Sequence, residues 1–564
     1  MARQVIRNPV LRGFEPDPSI LRVGDDHYIA TSTFEWYPGV RIHHSRDLVH
    51  WRSLGGVLDD RRLVDLAGVP DSGGIWAPDL SYADGRFHLV FTLVDGYAGG
   101  WRDLTNLVTT APSIEGPWSD PVPLHGRGFD PSLFHDDDGR SWLLSMVLDW
   151  RPERPGFAGI ELQEYDRASQ RLLGEPRRIF TGTEAGVTEG PHLYRRDGWY
   201  YLLVAEGGTG YDHQATVARA RSITGPYEAD PEGPMLTARH DPGLELQKVG
   251  HGCLVETGSG EWYVAHICAR PYTPRGRCVL GRETALQRVV WTPDGWPRVP
   301  GGLAAVEVPA PDLPLAPDPS CTPGLSHIPD PSCRPDLAPV PFTADRAEPS
   351  GSRLGPEWST LRRPASPDWL RVDGHMRIHG GQSPTGRRAP SLVARRVTAT
   401  RCGFAADVRF TPCTPDRLAG VTAYYNTRNW HYLAVTAADD GGTVLQVLSS
   451  ASGELTVHPQ RVPVPPGAAV RLHAELDGPV LRFGHDLGAG PQWLPLELDA
   501  TVLSDEHADE FEDGRVRVLG FTGAMLGLWV LDLDGGGCHA DFTNVTYRTG
   551  PRPDAPVNGR TTGR

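Results

Sequence analysis

Five short runs decide the fold of this 564-residue chain: DDHYIATS (25–32), DGRFHLVFT (84–92), DGRSWLLSM (138–146), DGWYYLLVA (197–205) and SGEWYVAHI (259–267). Each opens on a polar turn and passes into β-branched and aromatic residues, which suit a pleated, half-buried surface. Similar hairpins at all five places imply five repeated units. A period of about 55 to 65 residues, with several strands per unit and no strong amphipathic helix, is the signature of a β-propeller with one sheet per blade. Residues 1–308 are therefore expected to form a five-bladed propeller.

The runs also set a register. Counting nine residues back from Asp26, Gly85, Gly139, Gly198 and Gly260 reaches Asp17, Trp76, Asp130, Glu189 and His251. The innermost strand of every propeller blade starts near the central axis, so residues in equivalent register converge although they are distant in sequence. Three carboxyl groups are thus expected beside an indole and an imidazole. An isolated Asp-Pro-Ser is more often an Asx-type turn, and the two copies of DPSC at 318–321 and 330–333 are read that way. The shared register separates Asp17, Asp130 and Glu189 from that plain explanation.

Cleaving a glycosidic bond with inversion needs one carboxylic acid to protonate the leaving oxygen and one carboxylate to activate water on the opposite face of the sugar. Asp17, stiffened by prolines in GFEPDPSI, suits the base, and the longer Glu189 in VTEGPHLY suits the acid. Asp130 in GFDPSLF would raise the pKa of Glu189 and orient it. His251 is read as a hydrogen-bond partner tuning a carboxyl, with a water-linked calcium ligand on the axis and a satisfied core histidine as alternatives. No metal or cofactor is otherwise required. Trp76, Phe34 and Phe129 offer flat walls for sugar C–H faces, and the remaining aromatics are assigned mainly to the core. Arg282 in LGRETALQ presents a planar fork for sugar hydroxyls, unless it forms a surface pair with Glu283.

Composition supports a neutral ligand. Hydrophobic residues make up 39% and charged residues 22%, enough apolar material to fold, while a formal charge of −15 argues against nucleic acid or an anionic membrane as partner. The N-terminal sequence lacks the apolar run of a signal peptide, so a cytoplasmic location is expected. The eight cysteines show no CxxC pair or zinc spacing and are read as reduced thiols. Residues 309–341 are too proline-rich for a helix interior or central strand and are taken as a linker. Beyond it, alternating runs such as CGFAADVRF, HYLAVTA and GLWVLDL predict a β-sandwich over 342–550, followed by a tail at 551–564.

The segments NPVLRGFEPDPSI, STFEWYPGVRIHHSRDLVHW, GIWAPDLSY, FDPSLFHDDDGR, TEGPHLY and GHGCLVET resemble the two-domain β-xylosidases of glycoside hydrolase family 43 across the whole propeller. The resemblance implies inverting hydrolysis with base, pKa-modulating Asp and acid at Asp17, Asp130 and Glu189, and sugar contacts at Phe34, Trp76, Phe129 and Arg282. It implies release of single xylose units from xylooligosaccharides, with a sandwich walling off one side of the pocket. An α-L-arabinofuranosidase is the nearest alternative, and a non-catalytic sugar-binding propeller a more distant one. Similar enzymes often form homo-oligomers, which the sequence leaves open. One departure stands out: TGAMLG (522–527) replaces a TGAFVG-like segment, placing Met525 where the family's phenylalanine would stack on the sugar. Weaker stacking there is expected.

Overall fold

The computed structural model describes residues 4–313, 340–341 and 354–550, apart from residues 100, 152 and 514. Most of the proline-rich linker, with Cys321, Cys333 and both DPSC segments, lies outside the described residues, as does the tail at 551–564.

The five hairpins become the first two strands of five antiparallel blades. The first blade runs Ser19–Val23, Asp26–Thr31, Gly39–Ser45 and Arg52–Leu58, and the second Gly74–Ala83, Arg86–Gly96, Asp103–Ala111 and Val122–His125. The third runs Ser132–His135, Ser141–Leu148, Phe157–Asp166 and Arg171–Phe180. Glu189–Arg196, Trp199–Glu206, Gln214–Ala220 and Glu228–Ala229 form the fourth, and Gln247–Glu256, Trp262–Ala269, Glu283–Trp291 and Pro297–Arg298 the fifth. The chain start is tied back to the last blade: Val5–Arg7 pairs with Glu307–Pro309, and the Asn8 amide both donates to the Leu286 carbonyl and accepts from its N–H, each at 2.8 Å.

The axial register is built in two ways. In the first and third blades the strand begins just after Asp-Pro, at Ser19 and Ser132. In the other three, pairing with the second strand is interrupted by bulges, at Trp76/Asp79, Glu189/His192 and Gly250/Cys253. A bulge re-aims a side chain out of the regular pleat, so all five axial residues turn toward the centre. Just below them Asp79 stitches blades together, accepting from Ser19 Oγ at 2.9 Å and from the Leu133 N–H at 2.9 Å.

The C-terminal half forms two large sheets packed face to face around Phe404, Val421, Leu433, Leu472, Leu528 and Phe542. One of these sheets does not end within the sandwich: its edge strand Trp358–Leu361 pairs with Trp36–Tyr37 of the propeller. A second hydrophobic cluster crosses the same boundary, joining Phe34, Trp36 and Trp76 to Tyr424, Met525 and Trp529. Burying that much aromatic surface makes the two halves one packed body.

Charge reinforces the seam. Arg362, wholly buried, reaches Asp71 at 2.7 Å and donates from Nε to the Val69 carbonyl, while its own N–H bonds the Glu35 carbonyl. Asp71 also accepts from Thr427 Oγ1 at 2.5 Å. Nearby, Glu15 lies 2.9 Å from Arg41 and 3.4 Å from Arg396 of the sandwich. Burial pushes the Glu15 carboxyl up, but Arg41, Arg396 and His43 outweigh it and hold it well below the usual range.

Removing one partner of a buried ion pair strands the other charge, at a cost of about 3–5 kcal/mol. Arg362→Met keeps much of the stem's volume but leaves Asp71 uncompensated, so it should lower the unfolding free energy by an amount in that range, read as a lower urea unfolding midpoint. A midpoint unchanged within error would show that Arg362 does not hold the seam.

Candidate active site

All five register residues are buried around the axis. Asp17, Asp130 and His251 share left-handed backbone, with φ of 55, 53 and 47°. That region is sterically unfavourable for residues with a Cβ, Asp being among the more tolerant, and persists only where the surroundings enforce it. Glu189 reaches the centre differently, flanked by Val187 at φ 50° and Gly190 at φ 56°. Gly190 is required there: a Cβ would meet the His251 ring at 3.0 Å.

The three carboxyls have different partners. Asp17 accepts from Ser32 Oγ at 2.5 Å and from Arg282 Nη1 at 3.2 Å. Asp130 accepts the N–H of Gly190 at 3.0 Å. Glu189 has no hydrogen-bond partner among the described residues. Burial raises its pKa to about 7, with the charge of Asp17 adding to the shift and Arg102 and Arg282 opposing it. Asp130 is pushed well up by burial, then by Glu189 and Asp17. The influence expected to run from Asp130 onto Glu189 runs the other way: Glu189 and Asp17 raise Asp130, whereas Glu189 is raised by burial and by Asp17.

Aromatic walls surround them. Trp76 meets Phe129 edge-on at 5.1 Å, and its indole N–H is satisfied by the Ser72 carbonyl at 2.8 Å. Phe34 bridges blades through reciprocal backbone bonds with Ile75. Arg282 lies buried over Phe34. The alternative surface pair with Glu283 is absent, since Glu283 is held by Arg270 at 2.7 and 2.9 Å.

Two expectations are corrected. His251 makes no hydrogen bond to a carboxyl among the described residues. Burial lowers its pKa to about 4, against the pull of Asp17, so a neutral ring packs on Gly190. Met525 is fully buried in a sandwich strand, paired with Arg396 and Tyr424, and presents no surface to the pocket. The sandwich ring at the site is Phe521, which lies 5.6 Å from Trp76 and 5.9 Å from Phe34, under the guanidinium of Arg282 at 4.8 Å. The weaker stacking expected from Met525 thus has no structural basis.

Phe521, Arg102 and Asp79 carry no signal in the sequence repeat. Arg102 stands over Phe129 at 5.6 Å and Phe157 at 5.7 Å, with its charge acting on Glu189. It lies outside the axial register, whereas Phe521 immediately precedes the conspicuous TGAM and could have been found from that motif. Among the described residues no three His, Cys, Asp or Glu side chains are grouped as a metal site requires.

Comparisons with known proteins agree with this fold. The Glycosyl hydrolases family 43 profile matches residues 6–297, and the Beta xylosidase C-terminal Concanavalin A-like domain matches 348–548. A protein of Humicola insolens named Xylosidase/arabinosidase 43B is 43% identical, covering 97% of this chain and 98% of its own. A Vibrio protein named Xylan 1,3-beta-xylosidase is 42% identical over 96% of this chain and 99% of its own. The crystal structure of a xylan beta-1,4-xylosidase from Bacillus halodurans C-125 superposes with a TM-score of 0.87 at 45% identity, covering 96% of this chain and 100% of that one.

Because Asp17 contributes to the raised pKa of Glu189, its neutralisation has a definite sign. A carbon-13 titration of the Glu189 carboxyl should give about 7 in the unchanged protein and a lower value in Asp17→Asn. Equal values in both would mean that the two groups do not sense each other.

Proposed function

The chain belongs to glycosyl hydrolases family 43, and from that premise we propose that it is an inverting, exo-acting β-1,4-xylosidase that removes xylose from the non-reducing ends of xylooligosaccharides. The observation carrying this reading is the unlike state of two buried carboxyls at one axis. Glu189 is unpartnered with a pKa near 7, whereas Asp17 is fixed by Ser32 and Arg282.

In this mechanism Glu189 gives its proton to the glycosidic oxygen while Asp17 takes one from the water attacking the anomeric carbon on the opposite face. Ser32 and Arg282 limit the freedom of Asp17, so little orientational entropy remains to be lost. Asp130 stays a positioning group, fastening the Gly190 N–H and sharing the pocket's proton load. Trp76, Phe34 and Phe129 supply walls for the sugar ring, and the Arg282 fork stands at its floor. Phe521, arriving from the sandwich, closes one side. A pocket open at one end admits a chain terminus and favours exo cleavage.

A second reading is favoured by one specific finding, the naming of the Humicola relative as both xylosidase and arabinosidase. Xylose and arabinofuranose present similar hydroxyl geometry, so arabinofuranoside cleavage at the same site is the alternative. Steady-state kinetics on β-1,4-xylobiose, β-1,3-xylobiose and an aryl α-L-arabinofuranoside rank the three: the proposal expects the highest kcat/KM on the first.

General acid catalysis is worth about 10²–10⁴-fold, so Glu189→Ala should lose that much kcat on xylobiose while still binding xylose. The acid must carry its proton, so kcat/KM should fall as pH rises through about 7, the pKa of Glu189. An alkaline limb unchanged in position when Arg102, which opposes the raised pKa, is replaced by Met would count against Glu189 as the group titrating there; the expected movement is upward.

A further inference from the structure

Two tryptophans break the expectation that aromatics outside the site belong to the core. Trp101 and Trp150 are 67% and 56% exposed. They stack on each other with centroids 4.5 Å apart and planes 21° from parallel. An indole left in water forgoes a large favourable burial, and mutual stacking covers only one face of each.

Their position gives the pair a purpose. Trp101 lies between strands Arg86–Gly96 and Asp103–Ala111, and Trp150 between Ser141–Leu148 and Phe157–Asp166. These are the same connection, second strand to third, in neighbouring blades, and so lie at the end of the propeller where the innermost strands begin. The loop carrying Trp150 is closed at its base by the Asp149 N–H donating to the Gly156 carbonyl at 2.9 Å.

Trp101, though not Trp150, lines a cavity of about 540 Å³, within the ~300–1,000 Å³ typical of small-ligand pockets. Tyr97 and Arg102 line it as well. Tyr97 lies 6.4 Å from Trp76, and Arg102 acts on Glu189. The sandwich contributes Arg387 and Arg517 to the lining, and the propeller Asp95 and Asp103. A lining of both charge signs offers hydrogen bonds to hydroxyls without selecting an ionic ligand, and an indole face suits the C–H face of a sugar.

We propose that Trp101 and Trp150 form an aromatic platform for the leaving-group side of the substrate, holding xylose units beyond the first one past the cleaved bond. This inference rests on the xylosidase reading. It makes chain length a property of this rim: the buried pocket takes the terminal sugar, the cavity takes the second, and the platform takes the third and later units.

The test compares β-1,4-xylobiose, whose leaving group ends before the platform, with β-1,4-xylotetraose. In Trp150→Ala, an exposed position outside the cavity lining, kcat/KM for xylotetraose should fall roughly ten-fold, the scale of one lost stacking contact, with xylobiose changed less than about two-fold. Equal effects on both substrates, or none on either, would overturn the platform. A change in sedimentation with no change in the substrate ratio would likewise overturn it, assigning the pair to contact between copies. Xylotetraose binding in a Glu189→Ala background separates this from failure of the xylosidase reading: weaker binding in Trp150→Ala supports the platform even where the unchanged protein releases no xylose, and unaltered binding overturns it.

Discussion

Mutual repulsion among buried carboxyls is the constraint around which this molecule is organised. Asp17, Asp130 and Glu189 come from three blades and meet where water is scarce and each charge opposes the next. Left to itself such a cluster would drive its elements apart. It is held by elements that cannot easily yield: left-handed backbone at Asp17 and Asp130, the Gly190 N–H on Asp130, and Arg282 on Asp17. Asp79, bridging Ser19 and Leu133, prevents the first three blades from relaxing outward beneath the site. Burial, with the charge of Asp17 adding to it, is what keeps the Glu189 carboxyl protonated up to about pH 7.

The sandwich completes this environment. Its sheet continues into Trp36–Tyr37 of the propeller, and Arg362 and Arg396 pair with propeller carboxylates. Because Phe34 and Glu35 immediately precede the shared strand, the same stretch fixes a pocket wall and the domain seam. The buried Lys248 and half-buried Glu506 make another pair across the boundary, near the segment that brings Phe521 to the pocket, and Glu506 also accepts the Cys278 N–H at 2.9 Å. Burial pushes the nearby Asp505 up to about 7 and Asp509 up to about 6. Dryness in the pocket is therefore a joint product of both domains.

Much of this was legible in sequence because a propeller converts linear spacing into convergence. Equal distances from five hairpin turns found Asp17, Trp76, Asp130, Glu189 and His251, and hydrophobic alternation found the sandwich. What periodicity does not encode was missed. Arg102, Phe521 and Trp150 stand on connections, where no repeat relates one residue to another. Met525 drew attention through its place in a motif, although the pairing of its strand turns it into the core. For His251, residue type suggested a hydrogen bond, whereas close packing on Gly190 decides its surroundings.

The central claim is that Glu189 and Asp17 act on opposite faces of the sugar, as acid and as base for water. Proton NMR of β-1,4-xylobiose mixed with the protein, recorded before mutarotation, observes the stereochemistry directly. The account predicts that α-xylose appears first and β-xylose accumulates only as the anomers equilibrate. First appearance of β-xylose would contradict it, because retention would require a carboxyl to attack the sugar itself.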